Sequence, residues 1–144
     1  MKDLVELDIA LPQARLAELF ADPLNSPEWM DDVERVESLS GTPGEPGSIY
    51  RLVPKRGKLV FVATVLARDV PTEARLVLVA PGVSVSVTGT FRRLSDQESR
   101  LTSEETFVFN GMCGKIAGLF ARASISRAHR RAMESFKRFA EARR

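Results

Sequence analysis

Apolar and polar residues alternate along most of this chain, and the period changes once for good, near residue 111. Asp3 to Ala10 puts Val5, Leu7 and Ile9 on one side and Leu4, Glu6, Asp8 and Ala10 on the other, the pattern of a strand with one wet face. Pro12 stands where a helix starts, and Gln13 to Ala21 repeats at helical spacing, with Leu16, Leu19 and Phe20 inward and Asp22-Pro23 as the stop. Ser26 and Pro27 read as the cap and first turn of a second, brief helix that reaches about Asp31. Strands are predicted over 33–40, 48–54, 58–68, 73–80, 83–94 and 100–109. A Gly/Pro-rich loop, 41–47, joins the first two, and hairpin-length turns such as Lys55-Arg56-Gly57 and Pro81-Gly82 join the others. That spacing calls for one antiparallel, strongly twisted sheet.

Gly111 to Arg144 then reads as a single long helix. At about 100° per residue, Ile125, Ala128, Ala132, Phe136 and Phe139 share a face, continued backwards by Ala121, Gly118, Ala117 and Gly114. The stripe is bulky at its far end and nearly bare at its near end. Protein interiors fill to crystal-like density and voids are costly. A slim stretch of helix against a sheet therefore points to an internal cavity. Met112, Ile116, Leu119, Phe120 and Ala123 form a second apolar stripe on the opposite side. Either this stripe turns inward as a lid or it faces out as a membrane, dimer or partner contact, with Lys115 and Arg122 beside it.

Strand, two short helices, six strands and a long helix make an α+β chain. Its natural solution is a curved seven-stranded sheet wrapped around the terminal helix, with the two small helices closing one end. Alternation then selects the inward faces. The fourth strand offers Leu59, Phe61, Ala63, Val65 and Ala67, with Thr64 and Arg68 outward. The fifth offers Leu76 and Leu78, and the sixth Val83, Val85, Val87, Gly89 and Phe91. The seventh offers Leu101, Ser103, Glu105, Phe107 and Phe109. Trp29 and Met30, between the short helices and the second strand, either line the mouth of a pocket or cap the core. An aliphatic and aromatic lining suits a ligand pocket.

The length of 144 residues fits one domain spanning 1–144, large enough to bury a core without disulfides. Cys113 is the sole cysteine, so an intrachain disulfide is excluded and a reducing compartment is expected. Met1 to Ala10 has no apolar core of a secretory leader, and the longest apolar run, 59–67, is far short of a spanning helix, so a cytoplasmic protein is expected. The net charge of +2 hides an asymmetry: three basic and ten acidic side chains in residues 1–40, but nine basic and two acidic in 115–144. The acidic first third can neutralise the basic helix within the molecule. No aromatic residues interleave with the basic ones as a stacking platform would require, so nucleic acid is not an expected partner. Transient membrane contact and a homodimer stay open.

The chain resembles the START/Bet v 1-like superfamily, called SRPBCC in bacteria, which includes polyketide cyclase/dehydrase and lipid-transport proteins. The resemblance is carried by Asp22-Pro23 through Pro27-Glu28-Trp29-Met30, by Val33 to Glu37, by Gly44 and Gly47 before Tyr50-Arg51-Leu52, and by Ala132 to Phe139. It covers nearly the whole chain. It implies the helix-grip fold with a hydrophobic cavity between long helix and sheet. It also implies a lipid, polyketide, hormone or quinone ligand, and enzymatic activity in a minority of members. Fold alone does not settle function.

Candidate chemistry is sparse. Glu105 is the one carboxylate on an otherwise apolar inward face; it could exchange a proton with a ligand carbonyl, or pair with an arginine such as Arg51, or sit in water at the rim. Tyr50, the only tyrosine, could place a hydroxyl in the pocket. His129 is the sole histidine and is flanked by Arg127, Arg130 and Arg131; with no cysteine or histidine cluster, neither a metal site nor a cofactor is expected. Nothing in the spacing brings Ser, His and Asp together, and no nucleophile-elbow motif occurs. The glycines of the 41–47 loop precede a strand, whereas a phosphate cradle opens a helix. The favoured function is binding or transport of a hydrophobic small molecule. The rivals are a polyketide cyclase, aromatase or dehydratase in the same cavity, using Glu105 or Tyr50, and a membrane or protein interaction module.

Overall fold

A computed structural model describes residues 1–56 and 59–144, and for 112–121 the helical backbone alone. The elements are β1 Lys2–Ile9, α1 Gln13–Ala21, a 3-10 turn Pro23–Asn25, α2 Ser26–Trp29, β2 Val33–Ser40, β3 Ile49–Pro54, β4 Phe61–Asp69, β5 Glu73–Ala80, β6 Val83–Ser95, β7 Glu98–Phe109 and α3 Gly111–Glu141. The seven strands form one antiparallel sheet in the order β1-β7-β6-β5-β4-β3-β2. β1 thus closes against β7, while α1 and α2 carry the chain across to the opposite edge. This is the helix-grip arrangement. No helix among the described residues is long and apolar enough to cross a membrane.

The side-chain period of two holds the sheet in register. Along β6, Val83, Val85, Val87, Gly89 and Phe91 are all buried, whereas Ser86 and Thr90 face water. A one-residue slip would turn that whole set outward. One position on this face must be glycine for a packing reason. A Cβ on Gly89 would stand 2.6 Å from Phe20 Cε1, so the α1 ring lies directly on β6 backbone. That ring meets Phe91 and Phe136 edge-on, each with centroids 5.4 Å apart, and Trp29 meets Phe136 at 5.2 Å. Four rings from α1, α2, β6 and α3 thereby form one cluster. Polar ties reinforce it: Gln13 Nε2 donates to the Phe91 carbonyl at 2.9 Å, and Ser135 Oγ donates to the Trp29 carbonyl at 2.7 Å.

Four local expectations are corrected. Ser26 is the first residue of α2 rather than its cap; the side-chain cap lies one turn earlier, where Asp22 accepts from Leu24 N at 3.0 Å and starts the 3-10 turn. Leu59 lies before β4 and is exposed. A bulge between Val65 and Ala67 expels Leu66, which is 56% exposed, and shifts the alternation, so that Arg68 faces inward instead of outward. On α3 the buried stripe is His129, Met133, Phe136 and Ala140, with Phe139 alongside; Ala128 is exposed. The stripe is rotated so that His129, paired with Asp3 and Ser103, faces inward where helical spacing puts Ala128. The second apolar stripe, apart from exposed Ala123, and Cys113 and Lys115 lie outside the described side chains.

The charge asymmetry is partly resolved within the fold. Arg143 of the terminal segment meets Glu28 of the acidic first third at 3.1 Å.

Gly89→Ala should destabilise the protein by about 1–3 kcal/mol, because Phe20 is wedged between Phe91 and Phe136 and has no free direction in which to retreat. Chemical denaturation measures the loss. In a Phe20→Leu background the same substitution should cost clearly less.

Candidate functional site

Between the sheet, α2 and the inner side of α3 the packing is incomplete. The cavity left there is ≈ 80 Å³ and sits within ≈ 730 Å³ of atom-free space that continues outward to solvent. A volume of this size is several times the ~10–15 Å³ a single water needs. β5 and β6 supply Leu76, Leu78 and Val87, β3 and β4 supply Leu52 and Val65, and α3 supplies Met133. Trp29 and Met30 close the α2 side, and Gly44 of the 41–47 loop reaches the wall with a φ of +87°, where a Cβ would stand 3.2 Å from the Arg68 guanidinium.

Seven of the residues singled out in the sequence meet at this wall: Trp29, Met30, Tyr50, Leu76, Leu78, Val87 and Glu105. Five others lie elsewhere. Ala63 is fully buried beside Tyr50 and Leu52, with Phe61 packed against the same cluster. Val85 belongs to a cluster with Ala80 and Val83, against which Phe107 and Phe109 pack as a stacked pair 6.2 Å apart. Gly114, Ala117, Gly118 and Ala121, the small stripe that first suggested a hollow, lie outside the described side chains. Residues that sequence reading missed also reach the wall, among them Phe20, Ser26, Arg68 and Met133.

Beside Glu105 on the cavity wall lies a buried polar cluster drawn from three elements. His129 of α3 is 3% exposed. Its Nδ1 lies 2.7 Å from Asp3 Oδ2 on β1, and its Nε2 lies 2.9 Å from Ser103 Oγ on β7. Glu105 Oε1 is 3.5 Å from the same Nδ1. A carboxylate only accepts, so Nδ1–H donates to Asp3; in the neutral ring Nε2 then accepts from the Ser103 hydroxyl. Register explains the meeting, since Asp3 pairs with Glu105 and Val5 with Ser103 across β1 and β7. This corrects the expectation that Ser, His and Asp stay apart. A signal was present: Asp3 shares the inward face of Val5 and Ile9, and His129 stands four residues before Met133 and seven before Phe136. Among the described residues, no buried side-chain polar atom lacks a partner, and no His/Cys/Asp/Glu group is arranged to hold a metal.

Glu105 does not pair with Arg51, which instead meets Glu37 at 2.9 Å on the far edge. Burial raises the Glu105 carboxyl above its ordinary 4.5; His129 opposes this shift and Asp3 adds to it. Burial likewise pushes the Tyr50 phenol up to about 12, so it stays protonated and can donate a hydrogen bond.

Two measurements follow. Below pH 4.5 both the folded and the unfolded chain hold the Glu105 proton; as pH rises, the unfolded chain releases it first, and the native state loses relative stability until the buried carboxyl ionises. Glu105→Gln should therefore melt increasingly above the wild type as pH rises from 4.5 to 8; a constant difference would show that burial exerts no such penalty. Tyr50 is the only tyrosine, so ultraviolet titration reads it alone, and phenolate absorbance should be absent at pH 10 while the fold persists.

The fold recurs in solved structures. An aromatase/cyclase from Streptomyces sp. R1128 superposes with a TM-score of 0.82 at 19% identity, covering 99% of this chain and 94% of its own. A START superfamily protein from Mycobacterium smegmatis gives 0.72 at 13%, covering 99% and 95%. Norcoclaurine synthase from Thalictrum flavum, in complex with dopamine and hydroxybenzaldehyde, gives 0.71 at 12%, covering 100% and 89%. No curated protein matches the sequence. At these identities the superpositions establish the fold, while the sequence itself matches a family description across residues 5–141. With nearly its whole length matched, the chain belongs to the polyketide cyclase / dehydrase and lipid transport family.

Proposed function

We propose that this protein binds an apolar small molecule in the cavity between the sheet and its helices. The observation that carries the reading is the unfilled space walled by Leu52, Val65, Leu76, Leu78 and Val87 and bordered by Trp29. Packed interiors do not leave such space without cost. A ligand that removes apolar surface from water gains ~25 cal/mol per Å², less the cost of association. Arg68 stands at the loop side of the space, held at 3.5 Å by Glu45, so the mouth is polar while the interior is greasy. The family description, which spans cyclases, dehydrases and lipid transport, supports a hydrophobic ligand and leaves its identity open.

The carboxyl on the cavity wall favours a second reading, cyclisation or aromatisation of a polyketide-like chain. Glu105, whose carboxyl burial raises above its ordinary value, would exchange a proton with a carbonyl oxygen, and the Tyr50 hydroxyl would hold a second one.

Trp29 is the only tryptophan and touches the cavity, so its fluorescence reports occupancy. Titration with the neutral probe N-phenyl-1-naphthylamine should quench Trp29 saturably, with energy transfer to the probe. Leu76→Phe combined with Leu78→Phe fills part of the space and should weaken binding about tenfold, with circular dichroism unchanged. No saturable quenching up to the solubility limit of the probe would overturn the binding reading.

A further inference from the structure

We infer that Arg68 is the head-group site of the cavity and that the ligand is a carboxylate amphiphile, an apolar chain or ring system ending in an ionised carboxyl group. The inference rests on the binding reading and deepens it, by naming the chemistry of one end of the ligand.

Three observations carry it. The first is position. Among the described residues, Arg68 alone borders both the cavity and a polar groove on the outer surface, where Arg15, Asp22, Thr42 and Arg143 also stand. Its guanidinium therefore lies between an apolar interior and water, where the head of an amphiphile comes to rest once its tail is buried. The second is build. Arg68 reaches this boundary through the bulge of β4, and the neighbouring loop clamps that bulge. Gly47 N–H donates to the Val65 carbonyl at 2.8 Å, and Val65 N–H donates to the Ser48 carbonyl at 3.0 Å. Bare backbone at Gly44 then packs on the guanidinium, where a Cβ would stand 3.2 Å from Nη1.

The third is charge. The Arg68 side chain is only 24% exposed, and its carboxylate partner, Glu45, is 3.5 Å away and 58% exposed. An ion pair so long and so wet contributes little, and it does not offset the desolvation of the guanidinium. Nearby cations have partners of their own. Arg143 meets Glu28 at 3.1 Å, and Arg75, which also borders the cavity, meets Glu73 at 3.6 Å. Glu105 stands three strands from β4, behind the row Val65, Leu76 and Val87, about 14 Å along the sheet at ~4.8 Å per strand. The wall thus offers one weakly matched cation at its mouth, an apolar span, and a carboxyl at its far side. That order orients an anionic ligand with its head at Arg68 and its tail along Val65, Leu76 and Val87. A guanidinium fork takes both oxygens of a carboxylate. A phosphate monoester, close to −2 at about pH 7, would bring a second charge with no cation to meet it. The incoming carboxylate exchanges with Glu45, which turns to water.

The test competes three ligands of one chain length against bound N-phenyl-1-naphthylamine at neutral pH, with energy transfer from Trp29 as the signal. The ligands are decanoate, its neutral isostere decanamide, and decyl phosphate. Decanoate should displace the naphthylamine at about tenfold lower concentration than either of the others. In Arg68→Gln the ratio of decanamide to decanoate concentrations should fall to near one, whatever the absolute affinity of that variant, and Arg68→Lys should retain part of it. Glu45→Gln removes the competing carboxylate and should raise the ratio above that of the wild type. An arginine that served only to tie the loop to β4 would move neither ratio. Equal displacement by decanoate and decanamide, or an unchanged ratio in Glu45→Gln or in a folded Arg68→Gln, overturns the head-group site and leaves the binding reading intact. Tighter binding of decyl phosphate than of decanoate overturns the carboxylate. A wild type that takes up neither the naphthylamine nor decanoate overturns both readings.

Discussion

The structure turns on one close approach, that of the Phe20 ring to the bare backbone of Gly89. It lets α1 lie down on β6 and puts the ring where it can meet Phe91 and Phe136 together. Phe136 in turn receives Trp29, so the two short helices and the C-terminal half of α3 are fixed against one end of the sheet. Aromatic clusters of this kind combine a large buried area with preferred edge-on geometry. Density concentrated at this end is the counterpart of the space beside it. The rings meet each other, and two of them, Phe20 and Trp29, also border the cavity walled by Leu76, Leu78 and Val87.

A second constraint is polar. His129 occupies the centre of the buried stripe of α3 because Asp3 and Ser103 satisfy both ring nitrogens. Buried polar groups are tolerated when paired and costly when not. The cluster therefore fixes the rotation of α3 about its axis and, through Asp3, its position over β1. It also brings the Glu105 carboxyl to the wall of an apolar cavity, while the Ser103 hydroxyl stays fully buried.

The shared fold constrains function only loosely. The superposed proteins include an aromatase/cyclase and a synthase, at identities of 19% and 12%. The wall of this chain combines apolar strands, Arg68 on the loop side, and Glu105 beside the buried Asp3–His129–Ser103 line. Arg68 is there because a bulge after Val65 breaks the alternation of β4, so that one irregularity of pairing gives the cavity mouth its charge.

The element order, the antiparallel sheet and the inward faces of β6 and β7 were legible in the sequence, because a period of two or of 3.6 follows from backbone geometry alone. The sequence left Trp29 and Met30 between pocket mouth and core cap, and Tyr50 and Glu105 among alternatives; all four border the cavity. Three things were decided only by the tertiary structure: the rotation of α3 that buries His129, the bulge that turns Arg68 inward, and the registry that sets Asp3 beside a histidine 126 positions away. Each depends on packing or pairing between segments distant in the chain. Local pattern records which residues prefer to be buried, but not which partners meet them there.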